Sequence, residues 1–235
     1  MATGPHERFS SNYLSHFGLE WAMDNKTVEE IAKEYLQEIT KGVRGTDIKP
    51  GIIGEAGCSW PLTQNERKCL HAAAIAQKET GLCISIHPGS GADSPMQIVA
   101  VLVAYGVNPE RIILGHIEDT LPPEASDMRQ RLAEQGCYLS FDLFAVPRDA
   151  LQPFARDLYD DGRIDQILDL IRHGFSKQIL ISHDSLSVNL MSINGGPGIV
   201  HIPGNVVPRM RSRGLSEQDI HSITVDNPAR ALAIW

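Results

Sequence analysis

The sequence has no long apolar run, no strong basic cluster and few cysteines, and each lack narrows what the chain can be. Its longest apolar stretch, IVAVLVAYG at 98–106, is far short of the roughly 20 residues a membrane-spanning helix needs. The opening MATGPHERFSSNYLSHFG lacks the apolar segment of a secretory signal. Both features lead us to expect a cytoplasmic protein with no membrane partner. Acidic residues outnumber basic ones by 29 to 21, and the densest basic group is Arg209, Arg211 and Arg213, so a nucleic-acid partner is not expected. Cys58, Cys69, Cys83 and Cys137 are spaced too widely for a close-set zinc motif or a small disulfide framework, and they read as reduced thiols.

What is present is the material of a folded α/β protein. With 235 residues, 42% of them hydrophobic and 21% charged, the chain can bury a core and is not disordered. Residues 1–26 form an irregular lead with no strand pattern, and 27–235 are expected to form one domain. Five β-rich runs follow one another: GIIGEAG (51–57), LCISIH (82–87), RIILGH (111–116), CYLSFD (137–142) and QILISHD (178–184). They are apolar without clean alternation, as strands covered on both faces of a parallel sheet are. Between them lie helical segments with readable ends. Thr27 with Glu30, Thr63 with Glu66 and Ser216 with Asp219 form capping boxes, Ser94-Pro95 and Asn227-Pro228 open helices, and Gly81, Gly106, Gly136 and Gly174 close them.

The ends of the strands carry the chemistry. Glu55, His87, His116, Asp142 and Asp184 recur at the spacing of βα units, and in parallel α/β sheets the carboxyl ends of the strands form the functional face. His87 and His116 stand on adjacent strands, close enough for two imidazoles to reach one ion. With Glu55 and Asp184 they make two nitrogen and two carboxylate ligands, which suits Zn²⁺ or another divalent metal; two ions could share the set if Glu55 bridges them. Asp184 is the candidate general base for a metal-bound water. The scissile group could be a carbonyl or a phosphoryl. His183 reads as a buried neighbour of Asp184 or a group supporting it. Glu118 and Asp119 either assist proton transfer or cap the turn after His116. The segment SINGGPGIVHIPGN (192–205) suits a lid or a plain connection, and HPGSG (87–91) lacks the ending of a phosphate-binding loop.

The motifs GIIGEAGCSWPLT, ISIHPG, LGHIEDT, CYLSFDLF, ILISHD and ITVDNPARAL resemble the phosphotriesterase-related proteins of the amidohydrolase superfamily. The resemblance implies a metal-dependent TIM (β/α)₈ barrel, here an incomplete one with about five parallel strands corresponding to family strands 4 to 8. It implies His87 and His116 as ligands of one ion, Glu55 as the bridge and Asp184 as ligand of a second ion and general base. Asp142, Glu118, Asp119 and His183 are expected near substrate or behind the ligands. The implied activity is hydrolysis of a small amide such as an N-acetylated taurine or amino acid, with phosphotriesters or lactones as the alternative.

One departure is large. The family's first strand ends in a His-x-His pair, and the histidines before Glu55 are only His6 and His16. The expectation is therefore a shortened, catalytically impaired product with weak metal retention. Its unclosed strand edges would invite self-association, as a homodimer or an aggregate.

Overall fold

The structure is a computed structural model describing residues 23–146, 159–185 and 188–233. The described residues divide into two compact units, those up to Leu114 together with 231–233, and those from Gly115 to Arg230. Its five strands form one sheet in the order β1-β2-β3-β4-β5, and the described pairings are parallel. This is an incomplete barrel-type sheet flanked by helices, as the strand pattern predicts.

In the first unit, α1 (Val28–Lys41) precedes β1 (Ile53–Gly57), α2 (Gln64–Thr80), β2 (Ile84–His87), α3 (Ser94–Ala104) and β3 (Ile112–Leu114). The expected capping boxes at Thr27 and Thr63 are both formed. Glu66 does more than cap. Its carboxylate accepts the backbone N–H of Thr63 at 2.8 Å, the backbone N–H of Ser59 at 2.7 Å and the Ser59 hydroxyl at 2.9 Å, so it ties the loop after β1 to the start of α2. The α2 helix buries Leu70 and a stripe of alanines, and small side chains there let the helix lie close to the strands.

The pairing of β1 with β2 contains a bulge. Ile53 opposes Ile84 but Ala56 opposes Ile86, so Gly54 and Glu55 together face one residue of the partner strand. Gly54 has φ 133°, and a Cβ there would lie 2.5 Å from the Ser85 carbonyl oxygen. The bulge breaks the alternation of the strand and leaves Glu55 exposed between buried neighbours.

The glycines of HPGSG have a packing explanation. A Cβ on Gly89 would meet the Ser59 backbone at 2.5 Å, and one on Gly91 would meet the Trp60 indole at 2.3 Å. These glycines let the loop after β2 lie directly on the loop after β1. The helix opens at Ser94-Pro95 as expected, but the Ser94 side chain does not cap it. Ser94 is the first helical residue, with Asp93 before it, and its hydroxyl accepts the Gly89 N–H at 2.9 Å.

In the second unit, α4 (Ile117–Thr120) and α5 (Ser126–Glu134) lead to β4 (Tyr138–Phe141). Next come α6 (Asp160–Arg172), β5 (Ile179–Ile181), a π-helical turn (Ile202–Val206), α7 (Val207–Ser212), α8 (Glu217–His221) and α9 (Asn227–Leu232), which belongs to this unit up to Arg230. Strand β4 pairs with β5 from Leu139↔Ile179 to Phe141↔Ile181. The expected strand through 184 stops at Ile181, because the chain turns there and Asp184 adopts φ 40°. The Ser216 capping box is formed. Asn227, expected as a helix opener, is fully buried, and its side-chain amide donates to the carbonyls of Ser176 at 2.7 Å and Ile179 at 2.8 Å. It fastens the last helix to the start of β5.

Candidate metal centre

His87 and His116 sit where a strand gives way to a turn, whereas Glu55 lies within β1. His87 is the last residue of β2, and Glu55 is lifted out of β1 by the bulge. Within the first unit the Glu55 carboxylate Oε2 lies 3.7 Å from His87 Nδ1. His116 lies two residues beyond β3 in the left-handed region, at φ 50°. A residue with a Cβ is seldom found there, and such strain concentrates at functional sites. Glu55, His87 and His116 form a group whose candidate ligand atoms all lie within 4.8 Å of one another. It joins three of the four ligands expected from the sequence; Asp184 is not a member of it.

His116 is held from behind. One oxygen of Asp142, Oδ1, accepts the backbone N–H of His116 at 2.9 Å and lies 2.7 Å from its ring Nδ1. A carboxylate at that distance places the ring hydrogen on Nδ1 and leaves the Nε2 lone pair available to a metal. Asp142 follows β4 directly, so the strand end that carries it also orients the imidazole. The donor set, two imidazoles and a carboxylate with one ring fixed in the ligating tautomer, fits a divalent ion of the zinc type.

The flanking residues have different surroundings. Glu118 is buried, its Oε1 accepts the backbone N–H of Leu143 at 2.9 Å and lies 3.3 Å from Arg163 Nε. It supports the turn after β4. Burial pushes its carboxyl up to about 8; the charge of Asp142 adds to this and that of Arg163 opposes it. Asp119 is half-buried, and its backbone N–H donates to the His116 carbonyl at 3.0 Å. His183 is half-buried, and its Nε2 accepts the backbone N–H of Ile202 at 3.2 Å. Burial lowers its pKa, as does the neighbouring His201, which favours the neutral ring that this bond requires. Cys58, three residues after Glu55, is buried with its thiol pKa raised, an unreactive sulfur.

The Glu118 shift has a measurable consequence. A carboxyl that keeps its proton to about pH 8 when folded, but releases it near 4.5 when unfolded, makes the folded state the better proton binder in that interval. Stability from this group is thus full below the unfolded value and is lost as pH rises through the folded one. Glu118→Gln, neutral throughout, is expected to lose less stability between about pH 5 and 8 than the parent. Urea midpoints at both pH values measure the difference, and parallel losses would show that Glu118 does not carry the slope.

An incomplete parallel sheet with imidazole and carboxylate groups at its strand ends defines a metal-site α/β protein of the barrel type. The chain belongs to the Phosphotriesterase family, whose sequence pattern matches residues 10–232. An N-acetyltaurine hydrolase from Dictyostelium discoideum is 40% identical, over 90% of this chain and 57% of its own length. Among solved structures, a resiniferatoxin-binding protein from Rhodobacter sphaeroides superposes with a TM-score of 0.84 at 28% identity. That match covers 91% of this chain and 59% of the other. A lactonase from Listeria monocytogenes gives a TM-score of 0.78 at 27% identity, over 91% and 63% of the two chains. The chain spans about three-fifths of the length of the curated relatives it matches.

Sequence reasoning placed Glu55, His87, His116 and Asp142 on strand ends but missed what surrounds them. The Gly54 bulge, the Arg163 partner of Glu118 and the pair of Asp160 with His201 carry no motif. The one available signal was Gly54 itself, a glycine inside a strand pattern.

Proposed function

We propose that this chain carries the metal-binding part of a hydrolase acting on a small amide, with N-acetyltaurine or an N-acetylated amino acid as substrate. The observation that carries the reading is the group Glu55, His87 and His116, with His116 oriented by Asp142. Membership of the family and the 40% identical N-acetyltaurine hydrolase support it. Glu55, His87 and His116 would hold one divalent ion, with Zn²⁺ the expected metal. In the full family site a second ion would share Glu55 and engage Asp184. Bound there, such an ion supplies a water acidic enough to act as a nucleophile near neutral pH, and it polarises the scissile carbonyl.

The chain's own residues do the rest. Asp142 keeps the His116 ring in the ligating tautomer through Nδ1. Asp184, on the turn after β5, is the candidate to take the proton of the attacking water and pass it to the leaving amine. Glu118 and Arg163 brace the turn that follows Asp142. An anionic substrate needs a basic anchor near the rim, for which Arg148 and Arg209 are the candidates; Arg148 lies outside the described residues. Arg209 lies 3.7 Å from Asp161 in an exposed pair, which makes it a poor anchor. A cytoplasmic setting is supported by four buried cysteines that form no disulfide. No described helix is long and apolar enough to cross a membrane.

The test is release of taurine from N-acetyltaurine by the Zn²⁺-loaded chain, beside a lactone and a phosphotriester. Zn²⁺-dependent taurine release that His116→Ala abolishes is the expected result. Turnover of the lactone alone would transfer the reading to the activity named for the Listeria neighbour. No turnover of any of the three would overturn it for this chain.

A further inference from the structure

Residues 188–206, between β5 and α7, are fastened at two points. At one point Leu190 is buried with Leu143 and Val146, and its carbonyl accepts the Gly198 N–H at 2.9 Å. At the other, His201 Nε2 lies 2.6 Å from Asp160 Oδ2, with both side chains mostly buried. The second oxygen of Asp160 accepts the Ala145 N–H at 3.2 Å and faces Arg163 Nη1 at 3.3 Å. Asp160 therefore joins the start of α6, the turn after β4 and the far end of the loop. Between the two points Ile193 and Ile199 are 91% and 70% exposed, so the anchors and not the tip hold the loop.

The residue after His201 makes the connection to the site. Ile202 opens the π-helical turn, and its N–H, which has no partner within that turn, donates to His183 Nε2 at 3.2 Å. His183 immediately precedes Asp184, whose φ of 40° has to be maintained by its surroundings. We infer that Asp160 and His201 are positioning residues. Their pairing straps down residues 188–206 and, through the bond from Ile202 to His183, fixes the backbone that presents Asp184. The role given to Asp184 rests on the function proposed above; the strap does not.

Hydrogen exchange on the whole chain, read residue by residue without substrate or metal, tests this. His201→Ala is expected to speed exchange of the amides of 183–185 and 188–206 by about tenfold or more, the effect of losing one charge-assisted hydrogen bond. His201→Gln, which returns a side-chain N–H near the Nε2 position, is expected to restore most of the protection. Asp160→Ala combined with His201→Ala is expected to loosen these amides no more than Asp160→Ala alone, because a broken pair cannot be broken twice. Three results would each overturn the inference: exchange unchanged in His201→Ala, exchange raised equally in α5 and α6, or no recovery with glutamine. Exchange is read without turnover, so a chain that fails to hydrolyse N-acetyltaurine leaves this test intact.

Discussion

Replacing His116 with alanine is expected to weaken Zn²⁺ binding by at least about a hundredfold, because it removes one of only three grouped ligands. Asp142→Ala is expected to weaken it by about 10- to 100-fold while leaving every ligand in place. The second loss separates two ideas of what Asp142 does. If it only fills space, affinity should survive its removal. If its Oδ1 sets the ring and the backbone of His116 together, the imidazole becomes free to turn and to change tautomer. Titration against a chromogenic chelator measures both constants. Equal affinities in parent and His116→Ala would remove His116 from the ligand set, and the metal centre with it.

Gly54→Ala is expected to destabilise the fold by about 2–4 kcal/mol. The added Cβ would meet the Ser85 carbonyl oxygen at 2.5 Å, a backbone atom of the neighbouring strand that cannot rotate away. The residue would also have to keep φ 133°, which side chains disfavour. The clash can be relieved only by separating β1 from β2 or by undoing the bulge, and either moves Glu55. Stability and Zn²⁺ affinity should therefore fall together in this variant. Glu55→Gln, at the exposed neighbour, should lower affinity with little change in stability. Chemical denaturation paired with the same titration checks this; a stable Gly54→Ala protein would mean that the strand accommodates a side chain there.

The parts of this molecule legible in the sequence are those governed by repetition. Apolar runs such as RIILGH and CYLSFD, interleaved with capped helices, give a parallel sheet, and the residue ending each run falls on its functional rim. Capping boxes were legible because Thr63 and Glu66 meet within one helical turn. What escaped depends on residues that meet across long stretches of chain. Nothing near Asp160 announces His201, 41 positions later, and nothing near Glu118 announces Leu143. Glu118 was open between proton transfer and capping the next turn, and the bond of its carboxylate to the Leu143 N–H, 25 residues on, had no local signal. Asp184 and His116 take positive φ values, which a sequence signals only when glycine or asparagine stands there.

The Asn227 amide bears on how the molecule comes into being during synthesis. Its two hydrogen bonds reach back 51 and 48 residues, to carbonyls at the threshold of the last strand. Until residue 227 has left the ribosome, those carbonyls can be satisfied only by water or by temporary partners. The strand that leads to Asp184 can therefore pair with β4 well before the Asn227 amide arrives to fasten its threshold.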